Sequence, residues 1–262
     1  MACLGRILGR EEREDLQSDD EVTIDANEDY ETFANRGLGL LNPEVLYKTG
    51  FWTSRTGFIR HHREVQVSCL ANDVVNLDLI DKESTRTLVR NKEHRFMHLG
   101  LVVIGIKGKG LVRKELGRKT LVSLYDGRFI NASDAMIGVT EVDMNENKGI
   151  FCCRPGFFMT IEDFSNHAVK IGIQTKGYED MKEGENLSVC IGFIGTCLTS
   201  CAVKYKLRKI KEVVDRMGSK GIKMIRPLKL ISAEELAGLG WDIEKFVERN
   251  SDSVPEQASS DI

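Results

Sequence analysis

The sequence predicts a mainly β protein, an antiparallel sandwich core with flanking α-helices at the C-terminal side. Apolar runs at His98–Ile106, Thr120–Tyr125, Ile137–Val142, Ile150–Thr160, His167–Gln174 and Leu187–Leu198 follow one another, with Gly, Asn or Asp at most junctions. Strands at this spacing suit a sandwich or barrel and not alternating βα units. After Ala202 the apolar period lengthens to three and four, the signal of amphipathic helices.

Each element has its own signal. Residues 1–34 are acidic and poor in apolar periodicity, so they read as a weakly ordered arm. Gly50–Arg63 is aromatic, glycine-bearing and basic, and Glu64–Leu70 alternates Val65, Val67 and Cys69 on one side as a strand does. Leu77–Asn91 is polar, with a short helix around Lys82–Val89. Thr120, Val122 and Leu124 alternate with Leu121, Ser123 and Tyr125, and Ile150–Thr160 is interrupted at Pro155.

Asn186–Val203 contains no charged residue, and its length approaches the lower limit of a membrane span. Its Ser, Thr, Asn and Gly content favours two buried strands joined near Gly195. Tyr205–Met217 carries a helical stripe of Leu207, Ile210, Val213, Val214 and Met217, and Gly218 and Gly221 end it. The stripe must cover the β core or a membrane surface. Docking on the sandwich is expected, with anionic lipid touching the basic face peripherally. Ser232 with Glu235 is a capping box for a helix through Leu236, and Asp242 caps a third helix, Ile243–Arg249. The domains are therefore 1–34, acidic arm; 35–203, β-rich core; 204–250, basic helical extension; and 251–262, disordered tail.

The net charge of −3 hides an uneven distribution. Eleven acidic residues against one basic lie between Glu11 and Glu31, and ten basic against two acidic between Lys204 and Lys229. Such asymmetry suits a nucleic-acid or anionic-membrane partner, and also a solvated charged face. Seven cysteines and no signal peptide in MACLGRILGREERED point to a reducing compartment, and Ala2 stands where N-myristoylation needs glycine.

Catalytic machinery is not legible. Gly105–Gly110, GIKGKG, lacks the ending of a phosphate loop and reads as a tight basic turn. His61 and His62 stand between Arg60 and Arg63, which suits a cationic surface better than a metal site. Cys152–Cys153 and Cys197/Cys201 lack zinc spacing, and Cys69, Cys152 and Cys190 read as small buried hydrophobes. No enzyme activity, metal or cofactor is expected.

Lys107, Lys109, Arg113, Lys114, Arg118 and Lys119 fall within thirteen residues whose only acid is Glu115. Two readings stand: an electrostatic track for single-stranded nucleic acid, or a solvated hairpin tip. Lys204, Lys206, Lys209 and Lys211 form a second candidate set. Tyr125 and Phe129 are candidates for stacking on bases, and binding would be nearly independent of base sequence.

Lys119–Asp143 is the most informative stretch. The strand-like run Thr120–Tyr125 ends on Asp126, and a turn-rich interval, Gly127–Asp134, follows it. A carboxylate there can accept the N–H groups of the turn, a local structural role. IGVTEVD at 137–143, FFMTIEDF at 157–164, HAVKIGIQTKGY at 167–178 and the apolar run around Gly192 and Gly195 come next, in that order. This succession, over His98–Ser200, resembles the 30K superfamily of plant-virus movement proteins, whose signature is apolar residues, one Asp and a Gly some tens of residues on. Asp126 matches the signature Asp. Gly195 is the preferred glycine, with Gly192 and Gly177 also inside the window.

With the resemblance, the core is read as a jelly-roll-like sandwich. The resemblance implies a virus-encoded, non-enzymatic protein that binds single-stranded nucleic acid and carries the viral genome from cell to cell through plasmodesmata. Pore modification and tubule formation are the two modes implied. The partners expected are single-stranded viral nucleic acid, host plasmodesmata and peripheral membrane, a second copy of the chain and viral coat protein. The location implied is the host cell junction, with cytoplasmic and peripheral endoplasmic-reticulum pools. A capsid-like self-assembling structural protein and a cellular RNA-binding protein are the alternatives.

Overall fold

The apolar runs form strands β1 (Gly57–Val67), β2 (Val74–Asp78), β3 (Phe96–Gly108), β4 (Lys119–Asp126) and β5 (Met136–Asp143). They continue as β6 (Lys148–Cys153), β7 (Phe157–Thr160), β8 (Val169–Lys176), β9 (Leu187–Leu198) and β10 (Ile225–Pro227). Helices are α1 (Ala26–Arg36), α2 (Lys82–Arg90), α3 (Ala132–Ala135), α4 (Ile161–Ser165), α5 (Ile210–Gly218), α6 (Ala233–Gly238) and α7 (Glu244–Ser251). The computed structural model describes residues 26–36, 43, 46–48, 57–68, 74–90, 93–109, 117–144, 148–178, 187–201, 205–222 and 225–251.

One sheet has the order β1-β9-β3-β6-β10, with β7 also on β3; the other has β2-β8-β4-β5. Successive long strands cross from sheet to sheet, except the β4–β5 hairpin, and all pair antiparallel apart from β10 on β6. This strand order is that of a jelly roll. The Ser232 cap, which accepts the Glu235 N–H at 3.1 Å, and helix α2 stand where the sequence places them.

Three apolar layers explain the composition. Between the sheets, Val102, Ile104, Val189 and Ile191 meet Val122, Leu124, Ile171 and Ile173. On the outer face of the larger sheet, Tyr30 and Phe33 of α1 and Val213 and Met217 of α5 cover Leu101, Val103, Cys190 and Ile194. On the outer face of the smaller sheet, Leu236, Trp241 and Phe246 cover Leu121, Tyr125 and Val139. Strands covered on both faces lose the polar alternation of a half-exposed sheet and read as continuous apolar runs.

Several expectations are corrected. Asn186–Val203 holds one buried strand, β9, not two: Gly195 sits inside it, paired with Ile59 and Leu99. No described helix is long and apolar enough to cross a membrane. The helix expected from Tyr205 begins at Ile210, because the segment before it is extended: Leu207 bridges Tyr47 and the Lys48 N–H donates to Lys206 at 2.8 Å. The strand expected at Glu64–Leu70 starts seven residues earlier, at Gly57, and Cys69 lies outside the described residues. GIKGKG is not a tight turn throughout, since β3 runs on to Gly108. Helix α1 crosses the boundary set at residue 34, and its Tyr30 and Phe33 are buried despite the acidic context. Residues 252–262 lie outside the described set.

The chain before β1 and the chain before α5 meet over the sheet at one aromatic cluster. Tyr47 packs on Phe58 and Tyr205 at 5.3 and 5.0 Å, and its hydroxyl meets His98 Nδ1 at 2.9 Å. Burial pushes the His98 pKa down to about 4, so the ring is neutral in the folded protein near neutrality. The unfolded ring titrates near 6.5, so this contribution to stability is complete above 6.5 and is lost as pH falls toward 4. Unfolding free energy measured from pH 7 to pH 4 should drop by up to roughly 3 kcal/mol from this ring. In His98→Phe the slope across that window should be shallower, whatever its stability at pH 7.

Candidate functional site

Asp126 closes β4 and is only 5% exposed. The residue two positions on supplies most of its partners. The Arg128 backbone N–H donates to Oδ1 at 3.1 Å, and its guanidinium forks onto the carboxylate, Nε to Oδ1 at 2.9 Å and Nη2 to Oδ2 at 2.7 Å. The third arm, Nη1, reaches Asp163 Oδ2 of α4 at 2.7 Å. Asp126, with Asp163 also contributing, holds the Arg128 guanidinium above its ordinary pKa. A planar fork meeting a carboxylate is a strong and orienting contact.

The turn is pinned on both sides. The Gly127 N–H donates to Ala168 at 2.7 Å and the Phe129 N–H to Asp126 at 3.3 Å. Asn131 then caps α3, accepting the Ser133 N–H at 2.9 Å. Helix α4 starts on Thr160, whose hydroxyl accepts the Asp163 N–H at 2.9 Å. It ends through His167, at φ 58°, the left-handed residue of a helix C-terminus. Beside Asp163, Phe164 stacks edge-on against Phe193 of β9 at 5.4 Å. Thus Asp126 ties the end of one sheet, through Arg128 and α4, to the interior strand β9 of the other. Buried in this way, the carboxylate holds in place the turn surface beside it. That surface carries Phe129, 39% exposed, and Ile130, 92% exposed.

Gly195 has a steric reason to be glycine. A Cβ there would stand 2.3 Å from Met97 Cε and 2.8 Å from the His98 carbonyl oxygen. The register of β3 against β9 shifts at this point, with Gly100 as the extra residue. Gly192 lies in the same strand beside Val103, and Gly177 follows β8 at φ 74°. Asp126 and Gly195 belong to different sheets and are not brought together.

A model of the viral movement protein family matches residues 40–212 of the chain. This chain belongs to the viral movement protein family. No curated protein sequence matches it. Among solved structures it is similar to one of turnip yellow mosaic virus, at 10% identity and TM-score 0.35 over 60% of this chain and 88% of that one. A nora virus structure follows at 11% and 0.37, over 65% and 71%, and tobacco streak virus coat protein at 8% and 0.29, over 59% and 95%. The jelly-roll assignment rests on the strand order itself.

The cations of this movement protein fall into two groups. Lys107 is ion-paired with Glu31 of α1 and lies 5.5 Å from the Tyr30 ring centre. Arg118 is buried over the Tyr178 ring at 5.6 Å, and Lys119 pairs with Glu141 at 2.6 Å. Lys109 is exposed, whereas Arg113, Lys114 and Lys204 lie outside the described residues. Lys206, Lys209 and Lys211 are all exposed around the start of α5. Tyr125 is fully buried and donates to the Phe246 carbonyl at 3.2 Å, so it cannot stack on a base.

Among the described residues no group of three or more His, Cys, Asp or Glu is placed to hold a metal ion. Cys152 and Cys190 are buried, and burial pushes their thiols up to about 12 and 11. Sequence reasoning singled out Asp126 without its partners Arg128 and Asp163. An Arg two residues after a strand-terminal Asp was the available signal.

Asp126→Ala should cost about 1–3 kcal/mol, the penalty of stranding the turn donors. Adding Arg128→Ala should cost little more, giving a coupling of about 1–2 kcal/mol in a double-mutant cycle followed by urea unfolding. Gly195→Ala should lose about 1–3 kcal/mol through overpacking. In a double-mutant cycle with Met97→Ala, which itself opens a cavity, the two costs should fall short of additivity by only part of the Gly195→Ala loss, because the His98 carbonyl also crowds the site.

Proposed function

We propose that this movement protein binds single-stranded nucleic acid and carries a viral genome from cell to cell through plasmodesmata, acting by binding and not by catalysis. Family membership supports the transport reading. The observation that carries the binding reading is the surface formed by α5 and its flanks. From Lys206 to Lys229 the exposed cations are Lys206, Lys209, Lys211, Arg216, Lys220, Arg226 and Lys229, and Asp215 is the only exposed acid among the described residues. Glu212 is half-buried and pairs with Arg208 at 3.5 Å.

The helix is fixed to the sheet through Val213 and Met217, so its cations project from a rigid support. Cations displayed in this way neutralise phosphates without reading bases. Lys107 and Lys119 are engaged by Glu31 and Glu141, which lowers their weight as phosphate ligands. Anionic lipid headgroups suit the α5 surface by the same Coulomb attraction, and peripheral membrane association of this kind is released by salt.

Filter binding to single-stranded RNA at several salt concentrations tests the site. Lys206→Glu, Lys209→Glu and Lys211→Glu together should weaken binding and flatten the log–log salt slope by about 0.7 for every phosphate no longer neutralised. Reversal of Lys107 and Lys109 should do less, and the opposite ranking would move the site to the β3–β4 connection. A fluorescent fusion in leaf epidermis tests transport. Puncta at the cell wall are expected, and a uniformly cytoplasmic signal would contradict the reading.

A further inference from the structure

One side of the sandwich is sealed by the chain itself. Strand β10 pairs with β6, and Lys229 bridges Val139 of β5, so one segment covers an edge of each sheet. On the other side of the larger sheet lies β1. Among the described residues β1 pairs only with β9, and none of its residues from Gly57 to Gln66 is fully buried. At eleven residues it is long for an edge strand. Such an edge presents a row of backbone N–H and C=O groups to any incoming strand.

The β1 sequence, GFIRHHREVQV, is complementary to itself when reversed. Consider a two-fold axis through His62, perpendicular to the sheet. Arg60 of each copy then faces Glu64 of the other, Ile59 faces Val65, Phe58 faces Gln66, His61 faces Arg63 and His62 faces its own counterpart. Each pair has matching parity, so both members lie on the same face of the pleat, as antiparallel pairing requires. An axis between two residues would set opposite faces against one another. Moving the axis by one residue in either direction breaks both Arg60–Glu64 pairs.

Both layers of side chains continue across this junction. Ile59 and Val65 border the core between the sheets, and Phe58 borders the outer layer. Glu64 is already oriented: its Oε1 accepts Gln66 Nε2 at 3.0 Å and the Ser188 hydroxyl. We propose that β1 is a self-association edge at which two copies of this chain join β1 to β1, antiparallel about His62, into one continuous sheet. The occupant is a second copy because the two Arg60–Glu64 pairs appear only when the strand meets itself. This inference does not depend on the transport reading, and its test contains no nucleic acid.

Sedimentation equilibrium of the purified full chain decides it. Arg60→Glu and Glu64→Arg, taken singly, should each weaken dimerisation by about tenfold or more, since both facing pairs become like-charged. The double variant should return to within about threefold of the wild type. A wild type that stays monomeric, singles that associate normally, or a double no better than the singles would each overturn the proposal. A second measurement keeps the test independent of variant stability. In His62→Cys a short bifunctional thiol reagent should join two copies through position 62, located by peptide mass spectrometry. Crosslinks found only at other cysteines would overturn it as well.

Discussion

The fold depends on covering both faces of both sheets. A sandwich needs one apolar layer between its sheets, and this one has three, the outer two supplied by α1 and α5 on one side and by α6 and α7 on the other. Apolar burial stabilises by about 25 cal/mol per Å², so covering the outer faces adds to stability as the inner layer does. Burial on both faces also makes the C-terminal third inseparable from the core. Gly172 shows how close that packing is: a Cβ there would lie 2.4 Å from Phe246 Cδ1 of α7. The described residues after Leu207 therefore behave as part of the sandwich, and β10 is one of its strands.

Within that frame Asp126 acts as an organiser. Its carboxylate is spent on Arg128, and Arg128 carries the connection to Asp163 and α4. Helix α4 inserts Phe164 against Phe193, so the position of an exposed turn is set by packing against the interior strand β9. The neighbouring Asp81 caps α2 in a similar way. Burial works against its charge, but the Ser84 N–H and hydroxyl hold the carboxyl below its usual range, and His61 lies 3.3 Å away. Asp126, Asp163 and Asp81 fix turns and helix ends, whereas Lys211 and Arg216 of α5 are exposed.

Much of this was legible before the structure. The alternation from Thr120 to Tyr125, the terminal Asp126 and the Ser232–Glu235 box are local signals, and local signals survived. What failed were cases where one residue satisfies two periods. Leu207 fits a helical stripe and also fits an extended strap, and only its pairing with Tyr47, 160 residues earlier in the chain, decides between them. Gly195 suggested a break because glycine usually marks one, yet here it admits Met97 from the next strand. Tyr30 and Phe33 were hidden by the acids around them. Nothing in spacing indicates that Arg128 reaches Asp163, because the two are brought together by the crossing between sheets.

The central claim is that the uncharged run through β9 is the interior strand of a sandwich covered on both faces. Native-state hydrogen exchange of the full chain tests it most directly, since amides at the centre of a cooperative core exchange only through global unfolding. The amides of Leu187–Leu198 should be the slowest in the molecule, with the same opening free energy as β3 and β4. Exchange in that strand as fast as in α2, with β4 still protected, would contradict the account.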